Sequence, residues 1–292
     1  MKGIILAGGK GTRLRPLTQY TSKQLLPIYD KPMVYYPLSL LMLAGINDIL
    51  LITTPKDIGN YKELLGDGSQ LGIKITYAIQ DKSNGLAEAF IIGESFIGED
   101  NVCLILGDNI FYGDGIISLM KESINRVEES NKALIFSYQV KNPKDFGIIN
   151  LNNNDIIDIE EKPINPKSNK AVVGLYMYPN DVINVAKGVK PSARGELEIT
   201  SVNNYYLSTK MLMHEALGRG YAWLDTGTIE EVLNASFFVK TIEERQGFKI
   251  ACIEEIAYRN NWITLDQLRK LAHKLPNSEY GQYLINISED II

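Results

Sequence analysis

The N-terminal segment joins a short apolar strand to an unusually glycine-rich turn. Residues 2–7 are predicted to form a buried strand, and three glycines follow within four residues: Gly8, Gly9 and Gly11. Glycine tolerates positive φ and lets a ligand come close to main-chain N–H groups. Three cations stand shortly after the turn: Arg13, Arg15 and Lys23. Backbone donors combined with flexible cations are typical of a site for a polyphosphate.

Two common glycine motifs do not fit this turn. The dinucleotide fingerprint Gly-x-Gly-x-x-Gly matches at Gly9 and Gly11, but Leu14 occupies the third glycine position. The P-loop requires Gly-Lys-Ser/Thr after four intervening residues, whereas Lys10 is followed here by Gly11. The sequence therefore does not favour a nicotinamide-dependent oxidoreductase or a P-loop enzyme.

Composition excludes several classes of protein. With 45% hydrophobic and 22% charged residues, the 292-residue chain is that of an ordinary globular protein. The formal net charge of −5 argues against a nucleic-acid partner or an anionic membrane surface. No apolar run reaches membrane-spanning length, and because a strand begins at once we expect no signal peptide. Having only two cysteines, the chain is expected to lack disulfides and to work in the reducing cytoplasm.

Apolar strand-like runs alternate with helical patterns along the first half of the chain. This alternation predicts an α/β fold with a Rossmann-like, mostly parallel central sheet flanked by helices. The predicted strands are Gly3–Ala7, Ile49–Thr53, Ile73–Ile79, Val102–Leu106 and Ala133–Tyr138. The predicted helices between them are Pro37–Ala44, Ile58–Leu65, Leu86–Ile92 and Ile116–Glu128. Ligands of such sheets lie beyond the carboxyl ends of the strands, so the glycine turn, Gln80 and Asp108 should share one edge.

The second half of the chain changes in character. Residues 147–178 contain three further predicted strands, and from Ile229 onwards the pattern is mainly helical, with clear helices at Leu265–Leu275 and Tyr280–Ile287. We expect an α/β domain with these strands inserted in it over residues 1–240 and a helical extension over residues 241–292. Hexapeptide repeats, which would build a β-helix, are absent from the sequence.

Two aspartates are candidate metal ligands. Asp108 follows a predicted strand in Leu-Gly-Asp-Asn, where a plain turn is the alternative. Asp225 precedes a predicted helix, where an N-cap is the alternative. Two carboxylates could hold one Mg²⁺ that also binds phosphate oxygens. With only two histidines, His214 and His273, the sequence does not favour a histidine-ligated zinc site.

Other polar residues have both a functional and a structural interpretation. The amide of Gln80 can read a pyrimidine edge that carries N3–H and O4, and Gly85 would let the backbone approach the base, although a solvated loop is the alternative. Glu160 could bind sugar hydroxyls, and Lys162 and Arg194 could bind a sugar phosphate. For these three residues the alternatives are a charged strand end and an acidic helix start.

The glycine turn and its sequel resemble the signature of the sugar-nucleotide pyrophosphorylases. This signature reads Gly-Gly-x-Gly-Thr-Arg-Leu-x-Pro-x-Thr, followed by a lysine and a proline that correspond to Lys23 and Pro27. Further matching runs extend to about Tyr283, and they are similar to the short bacterial-type members that make dTDP-glucose from dTTP and glucose 1-phosphate. The missing hexapeptide repeats exclude the longer members that carry a β-helix domain.

The resemblance implies a role for each group of matching residues. Catalytic groups would be Arg13, Lys23, Asp108 and Lys162. Nucleotide-binding residues would be Gly8, Gly9, Gly11, Thr12, Arg13, Gln80 and Gly85. Sugar-phosphate-binding residues would be Phe146, Gly147, Glu160, Lys162, Val172 and Arg194. Asp108 and Asp225 would bind Mg²⁺.

The resemblance also implies a homotetramer in the dTDP-L-rhamnose pathway, with dTDP-L-rhamnose as feedback regulator and no nucleic-acid or membrane partner. Two departures from the family pattern are visible. Phe146 replaces the usual tyrosine, and the loop Tyr112–Gly115, near the family's regulatory nucleotide site, lacks a histidine often found there. Two alternatives stay open: UTP as the nucleotide donor, and a catalytically silent regulatory subunit.

Overall fold

The computed structural model describes residues 1–9, 11–153 and 155–289. Its strands are β1 (Lys2–Leu6), β2 (Pro27–Ile28), β3 (Lys31–Pro32), β4 (Asp48–Thr53), β5 (Lys74–Ile79), β6 (Val102–Leu106), β7 (Asn109–Gly113), β8 (Ala133–Gln139), β9 (Gly147–Asn152), β10 (Asp155–Glu161), β11 (Lys170–Tyr178), β12 (Leu212–Ala216) and β13 (Tyr221–Asp225). Its α-helices are α1 (Tyr35–Leu43), α2 (Ile58–Leu65), α3 (Glu88–Ile92), α4 (Glu94–Ile97), α5 (Ile116–Ser130), α6 (Val182–Gly188), α7 (Ile199–Ser208), α8 (Ile229–Gln246), α9 (Ile253–Arg259), α10 (Leu265–Ala272) and α11 (Glu279–Ser288).

A nine-stranded sheet forms the centre of the protein. Seven strands follow one another in the order β10-β9-β11-β6-β1-β4-β5, and β8 pairs with both β11 and β12. Strands β6, β1, β4 and β5 are parallel neighbours, whereas β11 runs antiparallel to β6. The predicted α/β fold with helices on a mostly parallel sheet is confirmed, and the antiparallel strands come from the strand-rich middle of the chain.

Both faces of the inner parallel strands β1, β4 and β6 are buried. Along β1, Ile4 and Leu6 belong to one hydrophobic cluster, while Ile5 and the following Ala7 belong to the cluster on the opposite face. Because successive strand residues point to opposite faces, a strand covered on both sides must be apolar throughout. This burial explains why the predicted strands appear in the sequence as continuous apolar runs.

The C-terminal helices extend one of these two hydrophobic clusters. Ile256 of α9, Leu268 of α10 and Leu284 of α11 are buried in the same cluster as Leu41 of α1 and Ile5 of β1. The predicted helices in this region are confirmed to within a few residues. The division into domains at residues 240 and 241 stays a prediction, and α8 spans that position.

Some elements were not predicted from the sequence. The short antiparallel pairs β2–β3 and β7–β13 carry no clear alternation of apolar and polar residues. The helix predicted from Leu86 begins at Glu88 instead. Cys103 and Cys252 are both buried free cysteines. Within the described ranges, no helix is both long enough and apolar enough to cross a membrane.

We predict that Gly281→Ala destabilises the protein by about 1–3 kcal/mol, because a Cβ on this helical glycine would lie 1.9 Å from the carbonyl oxygen of Leu275. Gly59→Ala is the matched control: this glycine is also helical, but a Cβ there meets nothing within 4 Å and should stabilise by about 0.4–1 kcal/mol. Urea denaturation of both variants measures the difference. Equal stabilities would show that the last helix does not pack as described.

Candidate active site

Two adjoining cavities lie beyond the carboxyl ends of the parallel strands. The glycine-loop cavity has a volume of about 230 Å³ and is lined by Gly8, Gly9, Gly11, Thr12, Arg13, Leu14, Lys23, Gln24, Asp108 and Gly227. The sheet cavity has a volume of about 300 Å³, and its walls include Asn109, Phe146, Gly147, Glu161, Lys162, Val172, Arg194, Trp223 and Asp225. Asp108 and Asn109, which adjoin in sequence, line different cavities. The two spaces therefore meet at the end of β6.

The glycine loop needs its glycines for geometric reasons. Gly9 and Gly11 have φ of 114° and 52°, in the region that disfavours other residues. A Cβ on Gly11 would also lie 2.9 Å from the Thr18 side chain, whose hydroxyl donates to the Gly11 carbonyl. A 3₁₀ turn then begins at Thr12 and presents Arg13 to the cavity. Lys10, which belongs to the predicted loop, lies outside the described residues.

Charged groups of both signs converge where the cavities meet. The Lys23 ammonium donates to Asp108 Oδ2 at 2.6 Å, and the lysine is buried. Burial and the nearby Asp108 raise the pKa of Asp225 to about 7, against the opposing effect of Lys23. A Cβ on Gly227 would lie 2.9 Å from both Arg13 Nη2 and Asp225 Oδ2, so Arg13 borders the same space. Asp108 and Asp225 thus interact where the cavities meet, and their role as metal ligands stays a prediction.

Asn109 holds the Asp108 carboxylate, and it was not among the residues predicted for the site. Its Nδ2 donates to Asp108 Oδ1 at 3.0 Å, and its Oδ1 accepts from the Gly174 amide at 3.0 Å and from Trp223 Nε1 at 2.7 Å. In the β7–β13 pair it stands opposite Asp225. Its position beside Asp108 at the end of a strand was the only available signal, since its partners are distant in sequence.

The two carboxylates form a donor set suited to a hard cation. Within residues 1–9, 11–153 and 155–289, no group of three or more histidine, cysteine, aspartate or glutamate residues could hold a metal ion. A pair of carboxylates suits Mg²⁺, which takes one or two carboxylates and completes its shell with phosphate and water oxygens. Burial and, after it, the nearby Asp108 raise the pKa of Asp225, and a bound cation would oppose both effects by favouring the ionised carboxylate.

Gln80 lies at the end of β5 beside the glycine loop. It is buried, and its Nε2 donates to the Gly85 carbonyl at 3.3 Å and to Glu88 Oε2 at 2.7 Å. Its Oε1 lies 2.9 Å from the position a Cβ on Gly8 would occupy. Both donor hydrogens are thus engaged within the protein. The sequence predicts that this amide acts as both a donor and an acceptor. In the structure only its acceptor oxygen, Oε1, faces the glycine loop.

Gly85 is required for a contact that the sequence did not indicate. Its φ is 109°, and a Cβ would lie 2.4 Å from the Leu197 carbonyl oxygen. The Leu197 amide donates to the Asn84 carbonyl at 2.6 Å, and the Leu197 carbonyl accepts from Ala87 at 3.1 Å. The loop after β5 and the loop that carries Arg194 are therefore joined directly.

The sheet cavity is lined by five of the six residues predicted to bind a sugar phosphate, and the exception is Glu160. Lys162, Arg194, Phe146, Gly147 and Val172 all line it.

Glu160 does not line the cavity and instead pairs with Lys167 at 2.9 Å. The next residue, Glu161, takes that place: it stands opposite Gly147 and accepts from Thr200 at 2.5 Å and from Arg194 at 3.2 Å. Successive strand side chains point to opposite faces, so an error of one residue selects the wrong carboxylate.

Phe146 packs its ring against Trp223 in the wall of the sheet cavity. The two ring centroids are 5.2 Å apart, and their planes are inclined by 64°. Edge-to-face contacts of this kind orient both rings. The Phe146 ring therefore has a packing partner in the cavity wall, without a hydroxyl group of its own.

Comparison with known proteins identifies the family. The family model for nucleotidyl transferases matches residues 2–242. A glucose-1-phosphate thymidylyltransferase of Neisseria meningitidis is 56% identical over 98% of this chain and 99% of its own length. One of Mycobacterium tuberculosis is 53% identical over 99% of both chains. A solved Bacillus anthracis protein in complex with a sucrose superimposes with a TM-score of 0.75 at 41% identity, over 82% of this chain and 94% of that one. The chain therefore belongs to the nucleotidyl transferase family.

Proposed function

We propose that this protein transfers dTMP from dTTP to glucose 1-phosphate, which yields dTDP-glucose and pyrophosphate. The observation that carries the proposal is the junction of two cavities, one bordered by glycines and Arg13 and the other by Lys162 and Arg194, at a pair of aspartates. One cavity suits a triphosphate and the other a sugar phosphate. Relatives that carry the name of this activity match the chain over nearly its whole length.

The proposed reaction needs positioning and charge stabilisation more than proton transfer. A phosphate oxygen of glucose 1-phosphate attacks the α-phosphorus of dTTP in line, a new P–O bond forms, and the bond to the β-phosphate breaks. The nucleophile is already an anion, so no protein base is required. Effective catalysis then depends on the alignment of two polyanions and on cations placed where negative charge develops.

Each set of side chains has a proposed task in this alignment. The glycine-loop amides and Arg13 hold the β- and γ-phosphates, and Lys23 neutralises charge on the departing pyrophosphate. Lys162 and Arg194 orient the sugar phosphate, while Glu161 replaces Glu160 as the carboxylate for the sugar hydroxyls. Mg²⁺ held by Asp108 and Asp225 would supply further positive charge at the phosphates.

We also propose the finer properties that the family resemblance implies. These are a homotetramer, feedback inhibition by dTDP-L-rhamnose and a cytoplasmic location, with the product entering the dTDP-L-rhamnose pathway. Self-association is supported by an apolar stripe on α8: Ile229, Leu233 and Phe237 recur every four residues and are 42%, 53% and 64% exposed. Such a stripe on one helix face is typical of a surface covered in an assembly.

Pyrophosphate release in the presence of glucose 1-phosphate and Mg²⁺ tests the proposed reaction. We expect dTTP to be the preferred substrate among dTTP, UTP, CTP, ATP and GTP. UTP differs from dTTP only by the missing 5-methyl group and by its 2′-hydroxyl. Because a methyl group contributes about 1–3 kcal/mol to discrimination, some turnover of UTP should remain. A preference for UTP would identify the other donor, and no turnover with any of the five would favour a silent regulatory subunit.

Asp108→Asn tests the proposed metal site. We expect kcat to fall by about 100-fold or more, because the metal ligand loses its charge, while the hydrogen bond from Asn109 helps preserve the fold. The matched control is Asp266→Asn, which removes the same charge from a side chain that is 84% exposed and should leave kcat unchanged. Turnover and circular dichroism are measured on both variants. Unaltered Mg²⁺-dependent turnover of Asp108→Asn would remove Asp108 from the site.

Asp225→Asn should stabilise the metal-free protein at alkaline pH. The folded-state pKa is raised from 3.8 to about 7, so the folded protein binds the additional proton and the penalty for ionised Asp225 grows as pH rises from 4 to 7. Asparagine removes that penalty. Thermal unfolding in EDTA should therefore give the variant a higher Tm at pH 8 and a difference that shrinks towards pH 4. A difference independent of pH would contradict the electrostatic origin.

A further inference from the structure

The amide of Gln80 has only one orientation that satisfies its neighbours. Its two contacts are the Gly85 carbonyl oxygen and a carboxylate oxygen of Glu88, at 3.3 Å and 2.7 Å. A carbonyl oxygen and an ionised carboxylate can only accept hydrogen bonds. The NH₂ group must therefore face both partners, and Oε1 must face away from them.

Glu88 is the group that enforces this orientation. Its Oε2 accepts from Gln80 Nε2, and its Oε1 accepts from Asn84 Nδ2 at 2.7 Å. One carboxylate at the start of α3 thus fixes the amides of two residues, one at the end of β5 and one in the following loop. The Leu197 amide holds the Asn84 carbonyl at 2.6 Å, so the loop is anchored on its other side as well.

The fixed amide presents an acceptor to the glycine-loop side. Gln80 Oε1 lies 2.9 Å from where a Cβ on Gly8 would stand, and among the described residues no side chain or amide donates to it. A base bound beside the glycine loop therefore meets an oxygen that requires a donor. Thymine and uracil offer N3–H at their reading edge, whereas cytosine presents the N3 lone pair.

We propose that Glu88 is a specificity-determining positioning residue, which makes Gln80 select nucleotides whose base carries N3–H and reject CTP. The inference rests on the proposed function, because it places the base of the bound nucleotide next to Gln80. Glu88 acts through Gln80 without touching the nucleotide. If Glu88 only stabilised the fold, its loss would weaken the binding of all nucleotides equally. If it orients Gln80, its loss should change the preference for dTTP over CTP, so the two roles can be distinguished.

Glu88→Gln tests the role of the carboxylate. A glutamine has a single carbonyl oxygen for two NH₂ groups, so the Gln80 amide can invert and offer a donor to cytosine N3. We expect the kcat/KM ratio of dTTP to CTP to fall by about tenfold or more. The ratio of dTTP to UTP should stay constant, because both bases carry N3–H. Glu94→Gln is the matched control, because the Glu94 side chain is exposed and pairs with Lys187 on the surface, and it should change neither ratio.

The double variant Gln80→Glu/Glu88→Gln tests whether discrimination against CTP can be restored. A carboxylate at position 80 cannot act as a donor in either orientation, and glutamine at position 88 can donate to it while accepting from Asn84. We expect the double variant to reject CTP again. A purely structural role for Glu88 would not restore this discrimination.

Dissociation constants for dTTP, UTP and CTP, measured beside turnover, separate the two proposals. If Glu88→Gln weakens all three nucleotides equally, or leaves the dTTP-to-CTP ratio intact, Glu88 does not set base selection. If the wild-type protein binds dTTP selectively but releases no pyrophosphate, the proposed reaction is wrong, and the change of binding selectivity in Glu88→Gln still decides the role of Glu88.

Discussion

The side-chain hydrogen bonds of Asn109 hold the candidate active site together. This buried amide joins Asp108 at the end of β6 to the Gly174 backbone in β11 and to Trp223 in the β7–β13 pair. Gly174 has no alternative, because a Cβ there would lie 2.5 Å from Asn109 Oδ1. The pairing of β11 with β8 is interrupted between Val172 and Tyr176. Within this interruption the Gly174 amide donates to the Asn109 side chain. These bonds fix the position of the two-stranded β7–β13 sheet relative to the central sheet.

The arrangement held by Asn109 is electrostatically unfavourable without ligand. It places the buried Asp225 near Asp108. Desolvation and, after it, repulsion by Asp108 raise the pKa of Asp225 to about 7. Lys23 offsets only part of this repulsion. Groups selected for binding a cation and a polyanion commonly reduce the stability of the empty protein. Substrate and metal would therefore stabilise the folded state by supplying the missing opposite charges.

The sequence predicted features whose cause is local and missed those whose cause is tertiary. Strands buried on both faces must be apolar, so β1, β4 and β6 were visible as continuous runs, and the rule that ligands bind at strand ends brought Gln80 and Asp108 to one edge. The choice between Glu160 and Glu161 depends on which face of β10 is covered, and two adjacent glutamates carry no such information. The need for Gly85 arises from Leu197, more than 100 residues away, and no local pattern encodes it.

The contact between Gly85 and Leu197 joins the two loops that are proposed to bind the base and the sugar phosphate. Leu197 is hydrogen-bonded to both sides of the loop that carries Gly85, and it lies three residues after Arg194. In the described structure Arg194 is held by three carboxylates, at 2.8 Å from Glu198, 3.2 Å from Glu161 and 3.5 Å from Glu196. A sugar phosphate must compete with these carboxylates for the guanidinium. Leu197 is bonded to the loop beside Gln80 and closely follows Arg194, so the loops proposed to bind the base and the sugar phosphate share one direct backbone contact.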